Sequence, residues 1–245
     1  MQANKMQRSV QFSPSGLLFK AAQMGGASII WLLCFLIPRT TRAQTLPPPS
    51  AENIPKIKAL NFRHYEAEDG LSNNTVICSL QDQSGFMWFG TPDALNRFDG
   101  TNFKVFRYDP SLAHSIGSGG ITYLFEDGTS RLWVGTGKSG LYFFNADMDN
   151  FWAIDALKDQ YIRAIAQDLS GRLWISAGGR LYTLDLMDST GAPKDKATLT
   201  KAPLKWIQYK GAEVTSISLQ PGGKIWLGTL GGELLYVPKN ENHPI

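Results

Sequence analysis

The sequence predicts an all-β fold made of repeated antiparallel sheets, and three observations carry that prediction. A Trp-centred segment recurs at Trp88, Trp133, Trp174 and Trp226, at intervals of 45, 41 and 52 residues. A short turn signal precedes each copy, and apolar runs of strand length follow it. The composition agrees: 43% of the 245 residues are hydrophobic, 18% are charged and 24 are Gly. Such a balance suits many strands joined by tight turns better than a disordered or long-helical chain.

The four copies can be laid over one another. The first has Val76-Ile77-Cys78-Ser79-Leu80, the turn Asp82-Gln83-Ser84-Gly85, then Phe86-Met87-Trp88-Phe89-Gly90-Thr91 and Leu95-Asn96-Arg97-Phe98-Asp99. In the second, residues 121–125 are followed by Asp127-Gly128-Thr129-Ser130, Leu132-Trp133-Val134-Gly135-Thr136 and Gly140-Leu141-Tyr142-Phe143-Phe144. The third has Asp168-Leu169-Ser170-Gly171, Leu173-Trp174-Ile175-Ser176 and Leu181-Tyr182-Thr183-Leu184-Asp185, and the fourth Pro221-Gly222-Gly223, Ile225-Trp226-Leu227-Gly228-Thr229 and Glu233-Leu234-Leu235-Tyr236. The Asp opens a turn and the closing Gly accepts positive φ, so the tetrapeptide joins two antiparallel strands. The Trp segment is apolar at consecutive positions, which predicts a strand covered on both faces. The Gly after it marks a close approach of backbone.

An alternating segment closes each of the first three units, at residues 103–108, 151–154 and 204–209, and reads as a half-exposed outer strand. A period in the forties with four short strands per unit predicts a β-propeller of four-stranded antiparallel blades, near residues 76–108, 121–154, 162–209 and 214–237. The fourth unit supplies three strands. An orphan, Leu60-Asn61-Phe62-Arg63-His64-Tyr65, has the aromatic-x-x-aromatic look of the outer strands and could complete the last blade. Sixteen strands would then close as four blades if residues 62–65 pair beside residues 234–236. Otherwise the four repeats form an open arc of a larger propeller, with apolar faces available for self-association.

Ahead of this domain, expected over residues 59–238, the first 43 residues carry Lys5, Arg8, Lys20, Arg39 and Arg42 and no acid. They account for the formal net charge of +3, and the remainder is acidic, so nucleic acid is not implied as a partner. The basic start, the apolar run at 27–37 and Thr41-Arg42-Ala43 read as a signal peptide cleaved after Ala43, placing the mature protein in the periplasm or elsewhere outside the cytoplasm. The alternative is an uncleaved anchor, against which the run falls short of the roughly 20 apolar residues of a membrane span. Residues 44–58, with Leu46-Pro47-Pro48-Pro49 and Pro55, read as an extended linker, and 239–245 as a tail. Cleavage would leave Cys78 as the sole thiol, so an internal disulfide is excluded, and its apolar strand predicts a buried, inert group.

The string Asp69-Gly70-Leu71-Ser72-Asn73-Asn74-Thr75-Val76, continuing through Trp88-Phe89-Gly90-Thr91 to Leu95-Asn96-Arg97-Phe98-Asp99-Gly100, closely resembles the two-component regulator propeller repeat. That repeat occurs in the extracytoplasmic sensor regions of hybrid two-component histidine kinases. The resemblance extends over about residues 60–238 and implies a periplasmic sensor of a small solute, often carbohydrate-derived, working with a downstream signalling partner. Family members carry further repeats, a β-sandwich, a membrane helix and a kinase, so a second reading is a fragment of such a kinase, or an interaction propeller without its own activity. Pro92-Asp93-Ala94 and Ser176-Ala177 depart from the family's glycine-containing turns.

Catalytic, cofactor and metal residues are not indicated. In Gly135-Thr136-Gly137-Lys138-Ser139-Gly140 the first Gly of a phosphate loop would fall on Leu132, with strands on either side instead of a following helix. His64, His114 and His243 lack ligand spacing. Asp82, Asp127 and Asp168 recur at one turn position, which predicts turn stabilisation over calcium binding. A propeller lyase or hydrolase would need clustered acid and base groups that the sequence does not offer. The loop from Asp109 to Gly120, with His114, and the turns at Asp93, Lys138, Arg180 and Leu230 are the candidate ligand contacts, since connections form the rim of a propeller.

Overall fold

In a computed structural model of the chain, residues 61–237 are described. The expected signal peptide, the linker and the tail at 239–245 lie outside the described residues. Within 61–237 the chain forms four antiparallel sheets in sequence order. Sheet one comprises β1 (Cys78–Gln81), β2 (Met87–Gly90), β3 (Leu95–Phe98) and β4 (Phe103–Phe106). Sheet two comprises β5 (Ile121–Glu126), β6 (Leu132–Thr136), β7 (Leu141–Asn145) and β8 (Asn150–Ala153). Sheet three holds β9 (Ile162–Gln167), β10 (Arg172–Ala177), β11 (Arg180–Asp185) and β12 (Lys205–Ile207). Sheet four holds β13 (Val214–Leu219), β14 (Ile225–Thr229) and β15 (Leu234–Val237). Each sheet is a meander, and the first strand of each packs on the first strand of the next: β1 on β5, β5 on β9, β9 on β13. This is the blade arrangement of a β-propeller.

The tryptophan of each second strand is fixed by the turn before it. The indole N–H of Trp133 donates to Asp127 Oδ2 at 2.8 Å, while Asp127 Oδ1 accepts from the Thr129 and Arg131 amides. Trp88 donates in the same way to Asp82 at 2.7 Å and Trp174 to Asp168 at 2.9 Å. In sheet four Gln220 Oε1 takes the place of the carboxylate, 3.0 Å from Trp226 Nε1. One acid thus closes the turn and sets the ring, so the spacing Asp-x5-Trp is a packing device as well as turn chemistry. The ring points at the following sheet: Trp88 lies edge-on to Phe144 of sheet two with centroids 5.0 Å apart.

Between successive sheets lie three apolar cores, centred on Trp88 with Ile121 and Leu124, Trp133 with Ile162 and Ile165, and Trp174 with Val214 and Ile217. The glycine after the tryptophan lets the next sheet approach. A Cβ on Gly90 would lie 2.7 Å from Ile121 Cγ2, and one on Gly135 would lie 2.7 Å from Ile162 Cγ2. Sheet three has Ser176 there, and its hydroxyl donates to the Val214 carbonyl at 2.6 Å, so the departure from glycine keeps the junction by hydrogen bonding.

Two features differ from expectation. Burial of the Trp strand on both faces holds for β6, all of which is buried, but β2 and β14 alternate, because among the described residues sheets one and four each have a neighbouring sheet on one face. The orphan segment also does not close the ring. Residues 61–65 form no strand and do not pair with β15; instead the Tyr65 ring stands edge-on to Phe98 and Phe103 of sheet one, with centroids 5.0 and 5.8 Å away. Sheet four therefore has three strands, and the described residues hold fifteen strands, not sixteen. The aromatic pair on sheet one captures the segment locally.

The 52-residue interval between Trp174 and Trp226 has its own cause. Between β11 and β12 the chain inserts a helical turn, α1 (Lys196–Thr200), capped by Asp195, whose side chain accepts from the Thr198 amide at 2.7 Å. Its Leu199 is buried in the core between sheets two and three.

Gly135→Ala is expected to cost about 1–3 kcal/mol by overpacking that junction, measured by urea denaturation. Gly128→Ala, whose new Cβ would meet only the flexible end of Gln167 at 3.3 Å, should change stability by less than about 0.5 kcal/mol. Burial alone would raise the Asp168 carboxyl, but hydrogen bonds from Ser170, Trp174 and the Arg172 amide, with the Arg172 charge, hold it below its ordinary value of 3.8. A depressed carboxyl stabilises the fold above that value and loses its contribution as pH falls through the folded one. Acid denaturation should accordingly be shallower below about pH 4 in Asp168→Asn than in the parent.

Candidate functional site

The most built surface feature is the connection from β4 to β5, residues 107–120, which runs over sheet two. Its conformation is set by short polar side chains. The Asp109 carboxylate accepts from the Ser111 hydroxyl at 2.6 Å and the Ser111 amide at 2.9 Å, and these bonds hold it below the usual carboxylate range. The Asp109 amide donates to Ser115 Oγ at 2.8 Å, closing a compact loop. Ile116 is buried beneath it, and the Phe151 amide donates to the His114 carbonyl at 3.0 Å, fastening the loop to β8.

His114 lies flat on Trp152 of β8, with ring centroids 4.5 Å apart and planes 25° from parallel. Two grooves flank this stack. One, of about 510 Å³, runs between Tyr108, His114, Tyr142, Trp152, Asp155 and Thr200; the other, of about 530 Å³, lies between Val105, Arg107, Leu112, His114, Met148 and Phe151. Both fall in the size range of small-molecule sites, and both combine aromatic faces with convergent polar groups. The indole Nε1 of Trp152 is buried without a hydrogen-bond partner. Burial raises the Tyr142 hydroxyl above its ordinary value, against a bond to Ser139, so it stays protonated and able to donate. The pairing of Trp152 with His114 has no sequence signal, because the two residues are joined only by the fold.

The other candidates divide. Asp93 and Lys138 come near each other's turns through Gly119 and Gly120: a Cβ on Gly120 would lie 2.8 Å from the Pro92 carbonyl, and one on Gly119 would lie 2.6 Å from Lys138 Cβ. Asp93 itself accepts from Asn73 Nδ2 at 3.0 Å. Arg180 leaves this group and stacks over Trp206, 5.1 Å from the ring centroid, while Leu230 is exposed and its amide donates to the Glu213 carbonyl at 2.7 Å. The turn amides of Gly137, Gly178 and Leu230 each donate to the residue before the first strand of their own sheet, at Gly120, Tyr161 and Glu213. Pro92 has no amide to give, and Thr91 Oγ1 accepts from the Asp93 and Ala94 amides instead. The Gly137-Lys138-Ser139 segment is thus the β6–β7 turn. Among the described residues no group of three or more His, Cys, Asp and Glu could hold a metal ion. Cys78 is half-buried, and desolvation pushes its thiol up to about 11 against a backbone hydrogen bond at Gly90, so it is no nucleophile near neutrality.

The segment before β1 is fastened to sheet one, as residues 107–120 are fastened to sheet two. Leu71 is buried, the Ser72 amide donates to Asn96 Oδ1 at 2.8 Å, and Ser72 Oγ lies 2.8 Å from Thr91 Oγ1, which ties the connection to the β2–β3 turn of its own sheet. A family model described as two component regulator propeller matches residues 70–93, which hold this connection, β1 and the Trp strand. Residues 70–93 thus match one such propeller repeat. Over 55 residues, 22% of the chain, the sequence is 46% identical to "Histidine kinase P4" of Formosa agariphila, of which the match covers 4%. The extracellular domain assigned to a hybrid two component system of B. thetaiotaomicron superposes on 75% of the chain with a TM-score of 0.58 at 24% identity. A second, assigned to a one component system of the same organism, covers 71% with a TM-score of 0.56 at 21% identity. The chain spans about a quarter of each of those domains, 26% and 22%. These likenesses place the propeller repeat and its three companions in one fold.

Gly117 sits where a Cβ would lie 2.4 Å from Ser139 Cβ and 2.6 Å from the Tyr142 hydroxyl. Gly117→Ala is expected to lift the loop from sheet two and to speed limited proteolysis within residues 109–116 several-fold, at a stability cost of about 1–3 kcal/mol.

Proposed function

We propose that this chain is part of an extracytoplasmic sensor of the two-component type, and that it recognises a small solute at the grooves beside the His114–Trp152 stack. The observation that carries the reading is the propeller repeat at residues 70–93, supported by the likeness over 55 residues to a histidine kinase. The basic, apolar leader with its small-residue site at Ala43 supports export with cleavage there. The grooves fit a solute with both ring faces and hydroxyls, such as a sugar. Tyr108 and the rim of the His114–Trp152 stack offer aromatic surface, and Asp109, Tyr142 and Asp155 offer acceptors and donors around it. Binding here would press on the connection between sheets one and two, and contact with a signalling partner would pass the change on. A catalytic role finds no support in the site, which pairs one imidazole with an indole and brings no activated nucleophile to it.

Calorimetric titration of the protein with a panel of soluble oligosaccharides tests this. At least one should bind, and Trp152→Ala should weaken it by about 3- to 10-fold, the value of one aromatic stacking contact. If no oligosaccharide in the panel binds, or if those that bind do so equally well after Trp152→Ala and His114→Ala, the grooves are not the site.

A further inference from the structure

The aromatic platform between the two grooves is covered by a side chain of the protein itself. Trp152 packs against the core between sheets two and three, and the ring stacked on it is the His114 imidazole, 4.5 Å away and 25° from parallel. His114 is exposed and Trp152 half-buried, so the imidazole stands between the indole and solvent. The Trp152 Nε1 donor under this arrangement is buried without an acceptor. An unmade hydrogen bond of that kind costs free energy, which an incoming acceptor oxygen would recover.

Little else holds the imidazole. Among the described residues no hydrogen bond or ion pair reaches the ring. The Asp109 carboxylate, which borders both grooves with it, is engaged by the hydroxyl and amide of Ser111. The loop backbone, by contrast, is fastened: the His114 carbonyl accepts from the Phe151 amide, and Ser115 Oγ accepts from the Asp109 amide. The ring can therefore turn about its own side-chain bonds while the loop stays in place. His114 lines the groove of about 510 Å³ and the groove of about 530 Å³ alike, so there is room for it beside the stack.

We propose that His114 is a displaceable cover on Trp152. A ring of the solute takes the place of the imidazole on the indole, the imidazole turns aside toward Leu112 and Met148, and an oxygen at the edge of the solute ring accepts from Trp152 Nε1. The proposal rests on the reading of the grooves as a solute site and adds how that site selects. A stack of two aromatic rings is worth about 2- to 10-fold in an equilibrium, weak enough to be exchanged for another ring. A solute with hydroxyls and no flat face does not replace the imidazole, and a bare apolar ring leaves the indole N–H unpaired. The cover thus favours a ring that has both a flat face and an acceptor oxygen at its edge, and His114 is the residue that sets this preference.

Calorimetric titration of the full chain with the oligosaccharide panel, cellobiose and maltose included, tests the proposal in His114→Ala and His114→Phe, both changed at an exposed position. His114→Ala uncovers the indole and should bind a given sugar about 2- to 10-fold more tightly than the parent. His114→Phe, a more apolar cover, should bind it more weakly than the parent. With no sugar present, hydrogen exchange of the Trp152 indole N–H, assigned by its loss in Trp152→Phe, should be at least about 10-fold faster in His114→Ala. Sugar binding that falls in Trp152→Ala but is unchanged or weaker in His114→Ala overturns the cover and leaves the site standing, and so does an unchanged exchange rate. If no sugar binds either the parent or His114→Ala, the reading of the grooves falls and the cover with it.

Discussion

In sheets one to three a turn carboxylate takes the indole N–H of the tryptophan six residues later, and the ring so held is the surface on which the next sheet packs. The rest of the molecule depends on that arrangement. A tryptophan free to choose rotamers would not present one face to a neighbour, and its N–H would be buried unpaired at a cost of about 1–3 kcal/mol. With the ring fixed, the following glycine or serine leaves room for a β-branched residue of the next sheet. The stack then propagates by local rules, each sheet reading only the one before it.

This locality is why the sheets were legible in the sequence. The Asp-x-x-Gly turns, the consecutive apolar run at Trp133 and the glycine after it each answer to a short-range cause, and they reappear as β-turn, buried strand and close approach. What the acid does besides closing its turn was not legible, because Asp-x5-Trp acquires meaning only when the hairpin brings residue six back over residue one. The place of residues 61–65 differs from the one their spacing suggests for a related reason. Their aromatic spacing suggests an outer strand beside β15, but the ring of Tyr65 is captured by Phe98 and Phe103 of sheet one and the segment forms no strand. α1 was hidden because a five-residue helix leaves too short a period to register, and only the long interval before Trp226 betrayed an insertion.

The candidate site was legible as a loop and not as a constellation. Residues 109–120 stand out as a long polar connection in a chain of tight turns, and His114 within them as its one ring. That Trp152 lies beneath that ring follows from the path of the connection over sheet two, which is set by Ile116 in the core and by the backbone bond from Phe151. Arg180 and Leu230, equivalent in position, go elsewhere: Arg180 stacks on Trp206, and among the described residues nothing covers Leu230. Equivalent positions in a repeat are equivalent in the backbone, and their side chains answer to neighbours that differ.

The claim that the carboxylate and the indole act as one unit is tested most directly by a double-mutant cycle at Asp127 and Trp133, where both partners are buried. Asp127→Ala, Trp133→Phe and the double variant would be compared by urea denaturation. The account predicts a coupling of about 1–2 kcal/mol, the double variant losing less than the sum of the singles, as expected for a buried charge-assisted hydrogen bond. Additive losses, with a coupling indistinguishable from zero, would contradict it: the acid would then serve its turn alone, and the tryptophan would be held by packing alone.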